Sequence, residues 1–261
     1  MAHLFIFGLG YSAKRIRVAA IAAGWRVTAT GQDGELAFAD DETVRAALGS
    51  ASHVLSSVPP ADDLDPVLTR YGDALGNGWL GYLSSTGVYG DTAGAWVDES
   101  APTGQGRRTA RARADAAWLD RGARVFRLPG IYGPGRSALE RAAAGQAHRI
   151  ALPGQVFSRI HVDDIATGVM AGFEAPAGAY NLADDLPVSQ NTVVEEACRL
   201  LGLAAPPLQS LDESSLSPQA RAFYDENRRV ANEKARRVLG WRPSFPTYRE
   251  GLAAILRATW P

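Results

Sequence analysis

The chain has little of several things that would otherwise direct its reading. It has one cysteine, Cys198, in 261 residues. A single thiol cannot form an internal disulfide, which excludes a disulfide-built scaffold and fits a reducing compartment. Cys198 lies in the apolar-periodic stretch 193–201 and is expected as a buried helix residue. No apolar run approaches about 18 residues, so no membrane span is expected. The chain begins without the basic, apolar and small-residue zones of a signal peptide, and cytoplasm is the expected location. Neither sign of charge is in excess: 27 Lys and Arg face 28 Asp and Glu, a net charge of −1. That balance points away from nucleic acid or a membrane surface as a partner. His3, His53, His148 and His161 are scattered without metal-ligand spacing, and no metal site is expected. Lysine is scarcest. Only Lys14 and Lys234 occur, and no tyrosine stands between Tyr89 and Tyr132, so no Tyr-x-x-x-Lys pair exists in the middle of the chain.

What is present is alternation. Residues 4–7, 26–30, 53–57, 79–84 and 124–128 read as strands, with a short one at 36–38. Between them, 12–23, 42–48, 62–75 and 109–119 read as helices, with Pro66 placed in a first turn. Strands alternating with helices argue for a parallel sheet with right-handed crossovers. After Tyr132 the composition changes. Helices are expected at 138–144, 191–201, 233–239 and 248–258, a short strand at 149–152 and a last core strand at 180–182. Asp163 is the expected N-cap of a helix running to Gly172.

Gly8-Leu9-Gly10-Tyr11-Ser12-Ala13 follows the first strand, opens a helix and has the G-x-G-x-x-A spacing. Gly8 allows the tight turn, Gly10 lets backbone approach a pyrophosphate, and Ala13 lets the helix pack close to the strand. The helix then offers free N–H groups and a partial positive charge to phosphates. Dinucleotide binding through a Rossmann-like core is the expectation. At the end of the second strand the usual acidic position falls at Gly31, followed by the neutral Gln32 and by Asp33, two residues late. With no carboxylate there to repel a 2′-phosphate, the reading is NAD(P) with a lean to NADP. Ser57-Val58-Pro59 ends another strand on the same sheet edge. It reads either as a further cofactor contact or as an ordinary proline-stopped strand.

Five segments in order then resemble the extended short-chain dehydrogenase/reductases, the NAD-dependent epimerase/dehydratase family. After the glycine loop come Ser84-Ser85-Thr86-Gly87-Val88-Tyr89-Gly90, Arg127-Leu128-Pro129-Gly130-Ile131-Tyr132-Gly133-Pro134-Gly135, the Ile160-His161-Val162-Asp163-Asp164 segment and Leu239-Gly240-Trp241. The resemblance implies an α/β fold: a Rossmann-like doubly wound parallel sheet with a small discontinuous C-terminal substrate lobe. The core is expected at 1–132 and 161–183, the lobe at 133–160 and 184–261. Ser84, Pro129, Gly130 and Ile131 join the cofactor contacts. The resemblance also implies homodimers through the helices at 62–75 and 109–119.

In that family a Ser or Thr positions a substrate oxygen while a tyrosine, its pKa lowered by a lysine, moves the proton. The matching serine is Ser85, with Thr86 as substitute. The tyrosine and lysine positions fall at Arg107 and Arg111 or at Ala110 and Ala114, and arginine is a poor general base. Arg107, Arg108, Arg111 and Arg113 read either as binders of an anionic substrate or as a solvated face. Proton donors to weigh are Thr86, Tyr89, Tyr132 or a water chain. Nucleotide-sugar members carry an arginine where this chain has Phe157, with Arg159 offset by two, which argues against such a substrate. Tyr132, Arg111, Phe157 and Arg159 are the substrate-site candidates. Ser85 has no nearby His and no Gly-x-Ser-x-Gly elbow, so hydrolase chemistry is not expected. Loss of the Tyr/Lys pair resembles the atypical branch of the family. Two readings stand: an oxidoreductase or epimerase/dehydratase on a small carbonyl or hydroxyl compound, and a catalytically silent NAD(P) sensor.

Overall fold

The computed structural model describes residues 2–106, 109–214 and 216–259, so Arg107 and Arg108 lie outside the described residues. Six strands form one parallel sheet: β1 (His3–Phe7), β2 (Arg26–Ala29), β3 (His53–Ser56), β4 (Trp79–Ser85), β5 (Arg124–Leu128) and β6 (Gly178–Asn181). Their spatial order is β6-β5-β4-β3-β1-β2. The fold is thus the α/β, Rossmann-like one expected.

Strand alternation divides the core. On β1, Leu4 and Ile6 join one apolar cluster, and Phe5 and Phe7 the other. The first cluster packs α1 (Tyr11–Ala22) and α6 (Val162–Ala171) on one face through Ala13, Ile16, Ile165 and Val169. The second packs α2 (Asp41–Gly49), α3 (Pro66–Tyr71) and α4 (Thr109–Asp120) on the other through Val44, Tyr71 and Trp118. Both faces of the sheet are covered, as period-2 strands buried on both sides require. A third cluster joins α5 (Ala138–Ala143), α7 (Gln190–Leu201) and the helix Tyr248–Thr259, and it includes the buried Cys198. No helix among the described residues is long and apolar enough to cross a membrane.

Three local expectations are corrected. The helix expected at 62–75 is only Pro66–Tyr71, because Asp62 and Asp63 take left-handed φ values of 47° and 68° and break it. Asp65 then caps it, accepting the N–H groups of Val67 and Leu68, with Pro66 in the first turn. The strand expected at 36–38 reduces to a single bridge between Leu36 and Thr30. The N-cap of α6 is His161, not Asp163: its Nδ1 accepts the Asp163 N–H at 3.2 Å. Asp164, fully buried one residue on, accepts the N–H groups of Ser244 (2.7 Å) and Phe245 (3.0 Å) and ties the C-terminal segment to the core.

Candidate functional site

The winding of the sheet reverses at β1, which lies between β2 and β3. In open α/β sheets, ligands sit at such a point, outside the carboxyl ends of the strands. A cleft of about 860 Å³ opens there and runs from the start of α1, past the ends of β4 and β5, to the third apolar cluster.

The glycine loop forms one rim. Gly8 has φ +81°, and a Cβ on it would lie 3.0 Å from Val58 Cγ2. Its N–H donates to Thr30 Oγ1 (3.2 Å), and its carbonyl accepts the Ser57 hydroxyl (2.6 Å). Leu9 N–H donates to the Thr30 carbonyl (2.9 Å). Gly10 precedes α1 with no side-chain cap behind it and no acidic residue in the first turn. A Cβ on Gly10 would meet nothing within 4 Å. The unpaired N–H groups that begin every α-helix therefore open beside Gly10, Tyr11 and Ser12, all of which line the cleft. Ala13 is buried against the core beneath them.

Of the expected cofactor contacts, Gly10, Tyr11, Ser12, Ser57, Ser84, Pro129, Gly130 and Ile131 line this cleft. Gly8, Leu9, Ala13, Val58 and Pro59 lie outside the lining, with Gly8, Leu9 and Val58 packed at the turn behind it. Gly31 and Gln32 are exposed after β2. Asp33 there is paired with Lys14 at 2.6 Å, and Glu35 pairs with Arg17.

Ser85 and Thr86 also line the cleft. The Ser85 Oγ accepts the Gly87 N–H at 3.1 Å, which caps the short turn Thr86–Tyr89 and fixes the serine at the end of β4. Tyr89 is turned away. It is buried, with its hydroxyl donating to Asn181 Oδ1 (2.8 Å) and accepting from Arg127 Nη1 (3.0 Å). Burial raises its pKa. Behind it, Arg127 grips the buried Asp115, which also accepts the Ser84 hydroxyl at 2.6 Å. This chain of buried partners holds β4, β5 and α4 together under the cleft floor.

Arg111 lines the cleft and is half-buried. Its Nη1 donates to the Tyr82 hydroxyl at 2.7 Å, and its guanidinium lies 5.7 Å from the Tyr82 ring centroid. Arg113 points elsewhere and pairs with Asp63 at 2.5 Å. Tyr132, Phe157 and Arg159 reach the same cleft from the other side. Among the described residues the Tyr132 hydroxyl is held only by the Thr247 carbonyl at 3.5 Å, and burial raises its pKa. His161 is buried against Tyr132 and Phe245, and burial lowers its pKa to about 4.

Several lining residues carry no mark in the sequence: Arg136, Arg141, His148, Tyr224, Glu226, Arg228 and Tyr248. They come from α5 and the turns on either side of it, the segment 216–228 and the last helix, and no spacing relates them. Five lining arginines (111, 136, 141, 159 and 228) face one lining carboxylate, Glu226, among the described residues. Among those residues no three His, Cys, Asp or Glu side chains are placed to hold a metal ion.

No family model matches the chain. Among solved structures that share this fold are NAD(P)-binding epimerase and dehydratase proteins. They include dTDP-glucose 4,6-dehydratase from Bacillus anthracis in complex with NAD, 14% identical at a TM-score of 0.76, covering 98% and 96% of the two chains. A human epimerase family protein with NADPH is 17% identical at 0.77, covering 97% and 99%. The chain itself belongs to the family of a functionally unknown conserved protein from Silicibacter pomeroyi, 38% identical over 99% of both chains with a TM-score of 0.88. It is also 28% identical to protein YeeZ of Escherichia coli K12, covering 94% of this chain and 97% of that one. Over 140 residues it is 31% identical to a 3-diazoavenalumate denitrifying reductase from Streptomyces. That match spans 49% of this chain and 45% of the reductase.

Proposed function

We propose that the chain is an NAD(P)-dependent oxidoreductase, or an epimerase or dehydratase using the same cofactor, acting on a small carbonyl or hydroxyl compound. The observation that carries this reading is one continuous cleft joining the uncapped start of α1 to Ser84, Ser85 and Thr86 and on to the third apolar cluster. Residues 1–132 and 161–183 would form the cofactor core, and 133–160 and 184–261 the substrate lobe.

The residues fit a dinucleotide. Gly10 leaves open the space that a Cβ would fill, and the first N–H groups of α1 suit a pyrophosphate. Ser57 flanks the same rim, and Ser84 with Pro129, Gly130 and Ile131 would frame the nicotinamide end. Gly31 and Gln32 would meet the adenosine ribose. Asp33 and Glu35, the carboxylates after β2, are paired with Lys14 and Arg17, which supports NADP over NAD. When bound, the cofactor supplies or accepts a hydride.

The chain's own part is to hold the substrate oxygen and balance its charge. Lys234, one of the two lysines, lies 4.9 Å from the Tyr180 ring centroid and does not line the cleft, and Tyr89 is committed to Arg127 and Asn181. In this reading Ser85 and Thr86 hold the oxygen, and Arg111 supplies a fixed positive charge beside them. Arginine keeps its proton, so Arg111 stabilises charge and a water, relayed by Thr86, supplies the proton.

The test is NADPH oxidation by the purified protein against a panel of small carbonyl compounds. Ser85→Ala with Thr86→Ala should lower turnover by about 100-fold or more. Unchanged turnover in that double variant would overturn the Ser/Thr role. A melting temperature that ignores both NAD and NADP would overturn cofactor binding itself.

A further inference from the structure

The lobe end of the cleft is lined by more arginines than carboxylates. Arg141, in the last turn of α5, lines the cleft with no hydrogen-bond or ion-pair partner among the described residues. Desolvation lowers its pKa, and the neighbouring Glu140 and then Tyr224 act against that shift. Arg159 is buried on the same wall, but its Nη1 and Nη2 hydrogens go to neutral oxygens. Those are the carbonyls of Phe157 (2.8 Å), Val188 (3.0 Å) and Ser189 (3.4 Å) and Gln190 Oε1 (3.1 Å). The carboxylate that acts on it electrostatically, Asp184, is itself buried, and burial pushes its pKa up to about 8. Arg141 is exposed along the cleft, so an anion entering there meets its guanidinium without first breaking an ion pair.

The walls specify the rest of the ligand. Phe157 and Tyr224 meet edge to face at 5.5 Å, and Val193, Val194 and Leu252 add apolar surface. The Tyr224 hydroxyl has no hydrogen-bond partner among the described residues. Burial raises its pKa, so it keeps a proton to donate. The Arg141 guanidinium fork and the Tyr224 hydroxyl suit the two oxygens of a carboxylate, with the positive charge of Arg136 nearby.

We infer that this end of the cleft takes the carboxylate of a small aromatic acid, with Arg141 and Tyr224 on its oxygens and the Phe157–Tyr224 corner against its ring. The inference rests on the proposed reading, in which this lobe presents the substrate to the cofactor.

The experiment is calorimetric titration of the NADPH-saturated protein with cinnamate, its neutral amide cinnamamide and UDP-glucose, with NADPH affinity followed separately by fluorescence. Cinnamate should bind at least tenfold more tightly than cinnamamide. Arg141→Met should erase that preference, Arg141→Lys should restore part of it, and Tyr224→Phe should weaken cinnamate several-fold. All three variants should keep the parent melting temperature and NADPH affinity. Equal affinity for acid and amide, tighter binding of UDP-glucose, or an unchanged preference in Arg141→Met would each overturn the inference. If NADPH does not bind at all while cinnamate binds the protein alone with the expected preference, the carboxylate site stands and the cofactor reading falls.

Discussion

Arg127 holds Asp115 through two parallel hydrogen bonds, Nε to Oδ2 at 3.0 Å and Nη2 to Oδ1 at 2.7 Å, with both side chains almost fully buried. Removing one partner leaves a buried charge behind. Asp115→Ala is expected to destabilise the fold by about 3–5 kcal/mol. Asp115→Leu combined with Arg127→Met should recover most of that loss, because no charge remains to be solvated. Urea midpoints of the single and double variants decide it.

Gly10→Ala separates folding from binding. The backbone at Gly10 has φ −83°, a value any residue adopts, and the added methyl meets no protein atom within 4 Å. The variant should melt with the parent when no nucleotide is present. It should lose most of the thermal stabilisation that NADPH gives, because the methyl occupies the space proposed for the pyrophosphate.

Arg111→Ala should lower kcat/KM about 10²–10³-fold, the scale of one lost donor to a developing charge. NADPH affinity should stay unchanged. Arg111→Lys should restore part of the rate. Because Arg111 also donates to the buried Tyr82 hydroxyl, urea unfolding of each variant is measured alongside to keep stability and rate apart.

His161 makes stability depend on pH. Its pKa is lowered to about 4 by burial, while the unfolded chain titrates near 6.5. The contribution is fully present above about pH 6.5 and is lost as pH falls toward 4, where the unfolded state binds the proton that the folded state refuses. The full loss is roughly 3 kcal/mol at about 1.36 kcal/mol per pKa unit. His161→Asn keeps a capping side chain. Its stability relative to the parent should be constant above pH 7 and should improve as pH drops to 4.

The sheet was legible because its signal is local. Leu4, Phe5, Ile6 and Phe7 are apolar in succession and feed both faces, and the glycine turn after them marks the switch in winding. The glycine-loop residues and Ser85 could be named for the same reason. Chemistry that depends on distant packing was not readable. Tyr89 looks available in sequence, yet Asn181 and Arg127, far along the chain, claim its hydroxyl. Asp163 has the residue type of a cap, but an imidazole two positions earlier takes the bond. Arg141 lies on an ordinary helix turn, and only the folding of segment 216–228 beside it gives it Tyr224 as a neighbour.

The grip of Asp164 on Ser244 and Phe245 also implies an expected order of events during synthesis. Until those residues leave the ribosome, the carboxylate at the start of α6 lacks the two donors that justify its burial, and the helix facing α1 cannot close over it at low cost. Full protection of the helix facing α1 is therefore expected only once residues 244 and 245 are available. A nascent chain arrested before residue 244 should remain open to protease, and one arrested with 245 clear of the exit tunnel should resist it.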